Sequence, residues 1–447
     1  MTTEHVIDEL AARATALGAR LDEDSAALAA YAAAGEALLA DLPPRARRGE
    51  VEQALARRIF ETLRRLRRGF MQRHAHEVHA RLTDHGAAPR DLVDLVAAAA
   101  DQFPGLVPDR DQLAAERRCI QADKEGREMD QAIFFAGLLR SPTAGAQLVA
   151  SALLPSPRAR ALLAELRRAD ELDLGTVHLV RRGHVAHVTV NNQQALNAED
   201  DQLIADLGVA IDLGLLDDRV RVGVLRGGVM THPRYEGRRV FSAGINLREL
   251  YAGRISFVHF LLGRELGYIS KLMRGLAVGP GEVAGQGTIH KPWIAKPWIA
   301  AVDGFAIGGG MQLLFAFDKV IAADDAYFVL PAAQEGIVPG AANLRLSRVV
   351  GPRIARQIIL SGRTIRAGEP EARHFCDDIV PSAEIDAAIE RATRELDSPA
   401  VVANRMMLNL AEEPPHVFRE YMAEFCEVQA ARLYSADVLG KVQRWAR

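Results

Sequence analysis

Three cysteines in 447 residues, Cys119, Cys376 and Cys426, are too few and too scattered for a disulfide framework or a zinc pattern, and they point to a reducing, cytoplasmic setting. Long apolar runs are missing as well. No segment approaches the ~20 residues of a membrane span, and the start, with Glu4, Asp8 and Glu9, lacks the apolar stretch of a secretory leader, so neither membrane insertion nor secretion is expected. A net charge of -3 provides no general drive toward nucleic acid, so any anion site must be local. No H-E-x-x-H, Walker loop, G-x-G-x-x-G or G-x-S-x-G occurs, which argues against metal, nucleotide-triphosphate, nicotinamide and serine-hydrolase chemistry. His74, His76 and His79 cluster on one helix, but a pair on one face lacks a third ligand; they are read as surface histidines, and no metal is expected.

What is present is ordinary globular composition, 49% hydrophobic and 25% charged, on a chain long enough for two domains. Residues 1–172, from Glu4 to about Ala169, read as a helical domain broken at Pro43-Pro44, Gly86, Pro104, Pro142 and Pro155. Within it Val51, Leu55, Ile59, Leu63, Leu66 and Phe70 form an apolar stripe, with Arg57, Arg58, Arg64, Arg65, Arg67 and Arg68 between. The basic face is read as solvated or subunit-facing; a polyanion such as the phosphates of CoA is the alternative. Residues 173–447 change grammar. A hairpin is predicted from Val177–Val180 and Val185–Val190, followed by a helix over Asp200–Leu216, a strand over Val220–Leu225 and a helix from about Ser256, an α/β layered pattern. Helices over Ala383–Leu396, Ala400–Ala411 and Val417–Tyr434 form a tail of the kind that packs on a neighbouring subunit. Lys-Pro-Trp-Ile-Ala occurs twice in succession at residues 291–300; the first copy is expected in a loop, the second leading into a strand.

The most informative segments are Phe241-Ser242-Ala243-Gly244-Ile245-Asn246 and Val302-Asp303-Gly304-Phe305-Ala306-Ile307-Gly308-Gly309-Gly310-Met311-Gln312. Together they read as two halves of an oxyanion hole, in which glycine lets two distant backbone N–H groups approach one thioester oxygen. A flexible strand-to-helix turn is the plainer reading of the glycines alone.

With Ala195-Leu196-Asn197 before these segments and Gly336-Ile337-Val338-Pro339-Gly340 after them, residues from about Val177 onward resemble the crotonase (enoyl-CoA hydratase) superfamily. The resemblance implies a ββα spiral, CoA thioester substrates and a homo-oligomer, a trimer or hexamer. A narrower resemblance, to the 3,5-dihydroxyphenylacetyl-CoA 1,2-dioxygenase family, rests on five segments: Thr231–Tyr235, Arg264–Tyr268, Pro331–Glu335, Ala341–Leu346 and Ala403–Leu410. It implies a helical N-terminal extension and oxidation by dioxygen without metal or cofactor, the thioester and dioxygen being the substrates.

By motif position the hole would be formed by Ile245 and Gly309, flanked by Ala243, Gly244, Asn246, Ile307, Gly308 and Gly310. Hydratases of the superfamily carry glutamates where this chain has Gln312 and Ala332, so water addition loses both proton carriers. Gln312 would instead bond ring hydroxyls, or be an unremarkable first-turn glutamine. Arg264 would hold a phenol oxygen or the thioester, or be an exposed helix arginine. Glu199, after Asn197 as a helix N-cap, would complement the helix dipole with Asp200; the resemblance turns it toward substrate. Leu247 and Ile337 are candidate walls of a dioxygen pocket, or ordinary core. Gln193, Gln194 and Ala195 fall where the superfamily meets the adenine of CoA, and His232, Pro233, Arg234 and Tyr235 form a basic loop suited to its phosphates or simply solvated. Glu335 is the carboxylate nearest Ala332. A hydratase, isomerase or thioesterase, and a catalytically silent interaction scaffold, are the competing readings.

Overall fold

Seven helices open the computed structural model, which describes residues 17–277 and 293–445: α1 (Leu21–Ala40), α2 (Glu50–Leu82), α3 (Leu92–Gln102), α4 (Arg110–Arg117), α5 (Glu128–Arg140), α6 (Pro142–Ala152) and α7 (Pro157–Ala169). Asp91, Asp109, Ser141 and Ser156 accept first-turn N–H groups, and Pro142 and Pro157 take the first helical position, where their missing N–H costs nothing. The first residues of the expected helical region, from Glu4, lie outside the described residues. On α2 the apolar stripe turns inward from Ile59, while Val51 is 83% exposed.

The arginines and histidines of α2 correct two expectations. Arg64 and Arg67 reach the fully buried Asp130 on α5 at 3.1 and 3.0 Å, and Arg68 meets Glu427 at 2.5 Å, so these three arginines of the basic face are tied into the protein. His74 and His79 are buried: His74 bonds Asp24 at 2.6 Å, and burial lowers the pKa of His79 to about 4.

Asp170, in the left-handed region at φ 62°, ends α7, and β1 (Glu171–Asp173) follows at once, paired with β2 (Val177–Arg182). Residues 172 and 173, where the two domains are expected to meet, both lie in this strand. β2 and β3 (Val185–Val190) make the predicted hairpin, and α8 (Asp201–Leu216) leads to β4 (Val222–Gly227). Next come α9 (Leu247–Tyr251), a π-helix over Phe257–Ile269 and α10 (Ser270–Arg274). Leu261 N–H donates to Ser256 O, five residues back, and Gly267 (φ -87°, ψ -110°) breaks the helical geometry.

Beyond lie β5 (Leu276–Ala277), β6 (Trp293–Ile294), β7 (Trp298–Val302), β8 (Phe305–Ile307), α11 (Gly309–Leu314), β9 (Lys319–Ala323), β10 (Tyr327–Val329), α12 (Ala332–Glu335), α13 (Ala342–Ser361), β11 (Ile365–Arg366) and β12 (Asp378–Val380). The main sheet runs β1-β2-β3-β4-β7-β9-β12, antiparallel up to β3 and parallel after it; a second sheet runs β11-β10-β8. Central β7 is buried at every position, as a parallel strand covered on both faces must be. The doubled pentapeptide divides its labour. Trp293–Ile294 of the first copy pairs with β5 rather than forming a loop, its Lys291 and Pro292 lying outside the described residues. In the second copy Lys296 donates to the carbonyls of Gly214 and Asp217, and Trp298 is fully buried.

The tail comprises α14 (Ile385–Leu396), α15 (Pro399–Glu412), α16 (Pro415–Leu433) and α17 (Ala436–Trp445). α16 packs on this chain's own α5 and α6: Arg419 bonds Leu139 O, and Arg140 pairs with Glu424 and Glu427. The expectation of a tail lying on a neighbour is corrected for that helix. One buried apolar cluster runs from Leu21 to Val442, so the helical N-terminal region, the α/β layers and the tail share a core. Among the described residues no helix is long and apolar enough to cross a membrane.

Candidate active site

Residues 241–245 lie against β8. Ser242 N–H donates to Phe305 O at 3.2 Å and Ile307 N–H to Ser242 O at 2.9 Å, which brings the two glycine-bearing segments side by side. Gly244 has φ 81°, and a Cβ there would lie 2.8 Å from Ile307 O and 3.3 Å from Gly309 N, so only glycine permits the contact. A Cβ at Gly309 would stand 2.2 Å from Glu199 Oε2. Around them the backbone is spoken for: Gly244 N–H bonds Ser242 Oγ, Asn246 N–H bonds Glu199 O and Gly308 N–H bonds Val329 O. Among the described residues, the N–H groups of Ile245 and Gly309 have no acceptor, and both residues line one cavity of about 120 Å³.

Arg264 enters that cavity from the π-helix. Far from being exposed, it is 3% accessible. Its Nε and Nη2 donate to Glu199 at 2.9 and 3.2 Å, Nη1 to Glu265 at 2.8 Å and Gln312 Oε1 at 2.5 Å, and Nη2 also to Gly309 O at 2.7 Å. Burial opposes its charge, but the carboxylates of Glu199 and Glu265 outweigh burial and raise its pKa, so it stays a cation. Burial raises the Tyr268 phenol well above its usual range, and as a neutral group it donates to Glu199 at 3.1 Å. The network continues from Glu265 to Arg345 at 4.0 Å, from Arg345 to Glu413 at 2.8 Å and from Glu413 to Arg274 at 2.6 Å. Three arginines thus face three glutamates, which is how so much charge survives burial. Gln312 Nε2 is buried with no partner among the described residues, leaving one amide donor for a ligand.

Glu199 does not serve the helix dipole. Asp200 is the N-cap of α8, accepting from Leu203 N–H at 3.0 Å, while Asn197 is a buried left-handed residue (φ 56°), not a cap. Ala243, Gly244, Leu247, Ile307, Gly308 and Ile337 line the same cavity, with Phe260, Leu261 and Leu330 completing an apolar wall. Asn246 instead caps α9 through Glu249 N–H, and Gly310 packs on Ser242. Gln193, Gln194 and Ala195 form one 3-10 turn outside the cavity. The loop of His232, Pro233, Arg234 and Tyr235 is also outside it: Tyr235 packs on Phe305, and Arg234 lies over the Tyr235 ring. Sequence reasoning missed Glu265, Arg345, Glu413 and Arg274, whose pairing joins four elements and carries no local spacing. A larger cavity, about 760 Å³, lies beyond the π-helix against α3 and α7; of the motif residues it is lined by Gly267 and Tyr268, and by neither glycine-bearing segment. Among the described residues no group of three or more His, Cys, Asp or Glu is placed to hold a metal ion.

Among the described residues, two free amides thus line one largely apolar cavity, each carried by a turn that leads into a helix. A family model described as enoyl-CoA hydratase/isomerase matches residues 291–421. Over 423 residues the chain is 53% identical to (3,5-dihydroxyphenyl)acetyl-CoA 1,2-dioxygenase of Amycolatopsis orientalis, covering 95% of this chain and 96% of that protein. It is 31% identical over 245 residues to carnitinyl-CoA dehydratase of Escherichia coli K12, covering 54% and 82%. Among solved structures, Pseudomonas aeruginosa OdaA aligns with a TM-score of 0.49 at 21% identity, covering 61% of this chain and 98% of that one. The chain belongs to the family of the Amycolatopsis dioxygenase, within the enoyl-CoA hydratase/isomerase superfamily.

Proposed function

We propose that this protein converts (3,5-dihydroxyphenyl)acetyl-CoA and dioxygen to 3,5-dihydroxyphenylglyoxylate and CoA, with neither metal nor organic cofactor. The observation that carries the reading is the 53% identity to a dioxygenase of that substrate over nearly the whole of both chains. The chemistry fits the cavity. Loss of a benzylic α-proton moves an electron pair onto the thioester oxygen, opposite the amides of Ile245 and Gly309; each such donor is worth on the order of a hundredfold or more in rate. The enolate passes one electron to dioxygen, and the two radicals join as an α-peroxide. Its terminal oxygen attacks the thioester carbonyl and expels CoA thiolate. Cleavage of the O–O bond with loss of the second α-proton leaves the 2-oxo acid, so all atoms of both substrates appear in the products. The apolar wall that includes Leu247 and Ile337 suits dioxygen, and Gln312 Nε2 suits a ring hydroxyl. Hydration is disfavoured because Gln312 and Ala332 carry no acid or base.

The basic loop of His232, Arg234 and Tyr235, with Gln193, Gln194 and Ala195, is assigned to the CoA nucleotide. Self-association into a trimer or hexamer is supported by α15, which exposes Met406, Met407, Leu408 and Leu410. The free thiols of Cys119, Cys376 and Cys426 suit a cytoplasmic setting. An oxygen-electrode trace with this thioester and a chelator tests the reading. Uptake matched to thiol release is expected; thiol release without uptake, or uptake abolished by the chelator, would reject it.

A further inference from the structure

We infer that Glu335 is the base that takes the α-proton, an assignment that rests on the arylacetyl-CoA reading above. Among the described residues, three carboxylates line the cavity: Glu199, Glu265 and Glu335. Two are committed elsewhere. Glu199 accepts from Arg264 Nε and Nη2 and from the Tyr268 hydroxyl; Glu265 accepts from Arg264 Nη1 and from Ala341 N–H at 3.2 Å. Protonating either would strip a buried arginine of its counter-charge. Glu335 is different: among the described residues its carboxylate has no hydrogen bond and no ion pair, although it is half-buried.

Its placement follows from the local chain. Ala332 and Glu335 begin and end the one-turn helix α12, three residues apart and so on one face. Both residues line the cavity wall. Gly336 ends the turn in the left-handed region, and Arg432 Nε holds its carbonyl at 2.6 Å, fixing the residue that precedes it. Burial raises the pKa of Glu335, with Lys441 partly opposing, and a carboxylate so placed is a stronger base near neutrality than an exposed one. In the step, a Glu335 oxygen forms an O–H bond as the α C–H bond breaks. The C–H electron pair becomes the enolate double bond, with the negative charge on the thioester oxygen. The proton now on Glu335 returns to the CoA thiolate when that leaves.

The test compares wild type, Glu335→Gln and Glu335→Asp with (3,5-dihydroxyphenyl)acetyl-CoA. Two rates are read: α-hydrogen exchange into deuterated water without dioxygen, followed by NMR, and dioxygen uptake in air. Glu335→Gln should lose about a hundredfold or more in both, with KM changed little and the acid limb of the pH–rate profile removed. Glu335→Asp, shorter by one methylene, should keep a slowed exchange, down about tenfold or more. Wild-type exchange in the Gln variant would overturn the assignment. Should Glu335→Gln fail to fold, undiminished exchange in Glu335→Asp would overturn it equally. Exchange by wild type that depends on Glu335 but consumes no dioxygen would retain the base and reject the dioxygenase reading. Neither exchange nor uptake in wild type would reject both.

Discussion

At the scale of single residues, the site depends on atoms that cannot give way. The carboxylate that a Cβ at Gly309 would strike is pinned by two bonds from Arg264, so Gly309→Ala must displace either the Glu199 pair or the amide itself. We expect kcat to fall by about a hundredfold or more, with the fold intact by circular dichroism. Arg264→Met leaves Glu199 and Glu265 without their shared cation; it should lower the unfolding free energy in urea by about 3–5 kcal/mol as well as abolish turnover. That the two glycine-bearing segments approach each other was legible in the sequence because close backbone approach demands glycine at set positions. The arginine–glutamate network was not, because Arg264, Arg345, Arg274 and Glu413 meet only after four separate elements fold. Helical spacing alone does not distinguish Arg264 from an exposed helix arginine; only the resemblance over Arg264–Tyr268 singled it out.

At the scale of elements, the N-terminal helices hold the start of the π-helix. Glu128 on α5 accepts Phe257 N–H at 2.9 Å and Tyr434 Oη–H at 2.7 Å, and its neighbour Glu116 accepts N–H groups of Glu125, Gly126 and Arg127. Burial first, and then Glu128, raises the Glu116 pKa to about 7 from 4.5. The folded protein therefore binds a proton that the unfolded chain has already released between these values, so stability falls as pH rises through that window and is level above it. Glu116→Gln should gain about 3 kcal/mol on wild type between about pH 4.5 and about pH 7, read from urea unfolding at each pH. The helix over Phe257–Ile269 was legible as a helix, from its apolar spacing. Its π geometry was not: the kink at Gly267 and the N-terminal bond to Glu128 are tertiary features, and a π-turn differs from an α-turn by less than one residue of periodicity.

At the scale of the whole molecule, the change from helical to alternating strand–helix grammar was legible, and it marks the start of the sheet within two residues. That the halves share one core was not, because α16 folds back onto α5 from more than two hundred residues away. Met407 and Leu408, 57% and 58% exposed on α15, provide the proposed assembly surface. The paired change Met407→Glu and Leu408→Glu should convert the oligomer to a smaller species by light scattering, and a wild type already monomeric would refute that surface. The enolate–peroxide route fixes where the oxygen atoms go. Turnover under isotopically labelled dioxygen should place both labelled atoms in the 2-oxo acid, read by mass spectrometry, with unlabelled oxygen retained only from the thioester carbonyl. A product with one label would mean that water, not the second atom of dioxygen, completes the acid, and one with none that dioxygen supplies neither atom; either would contradict the enolate–peroxide route.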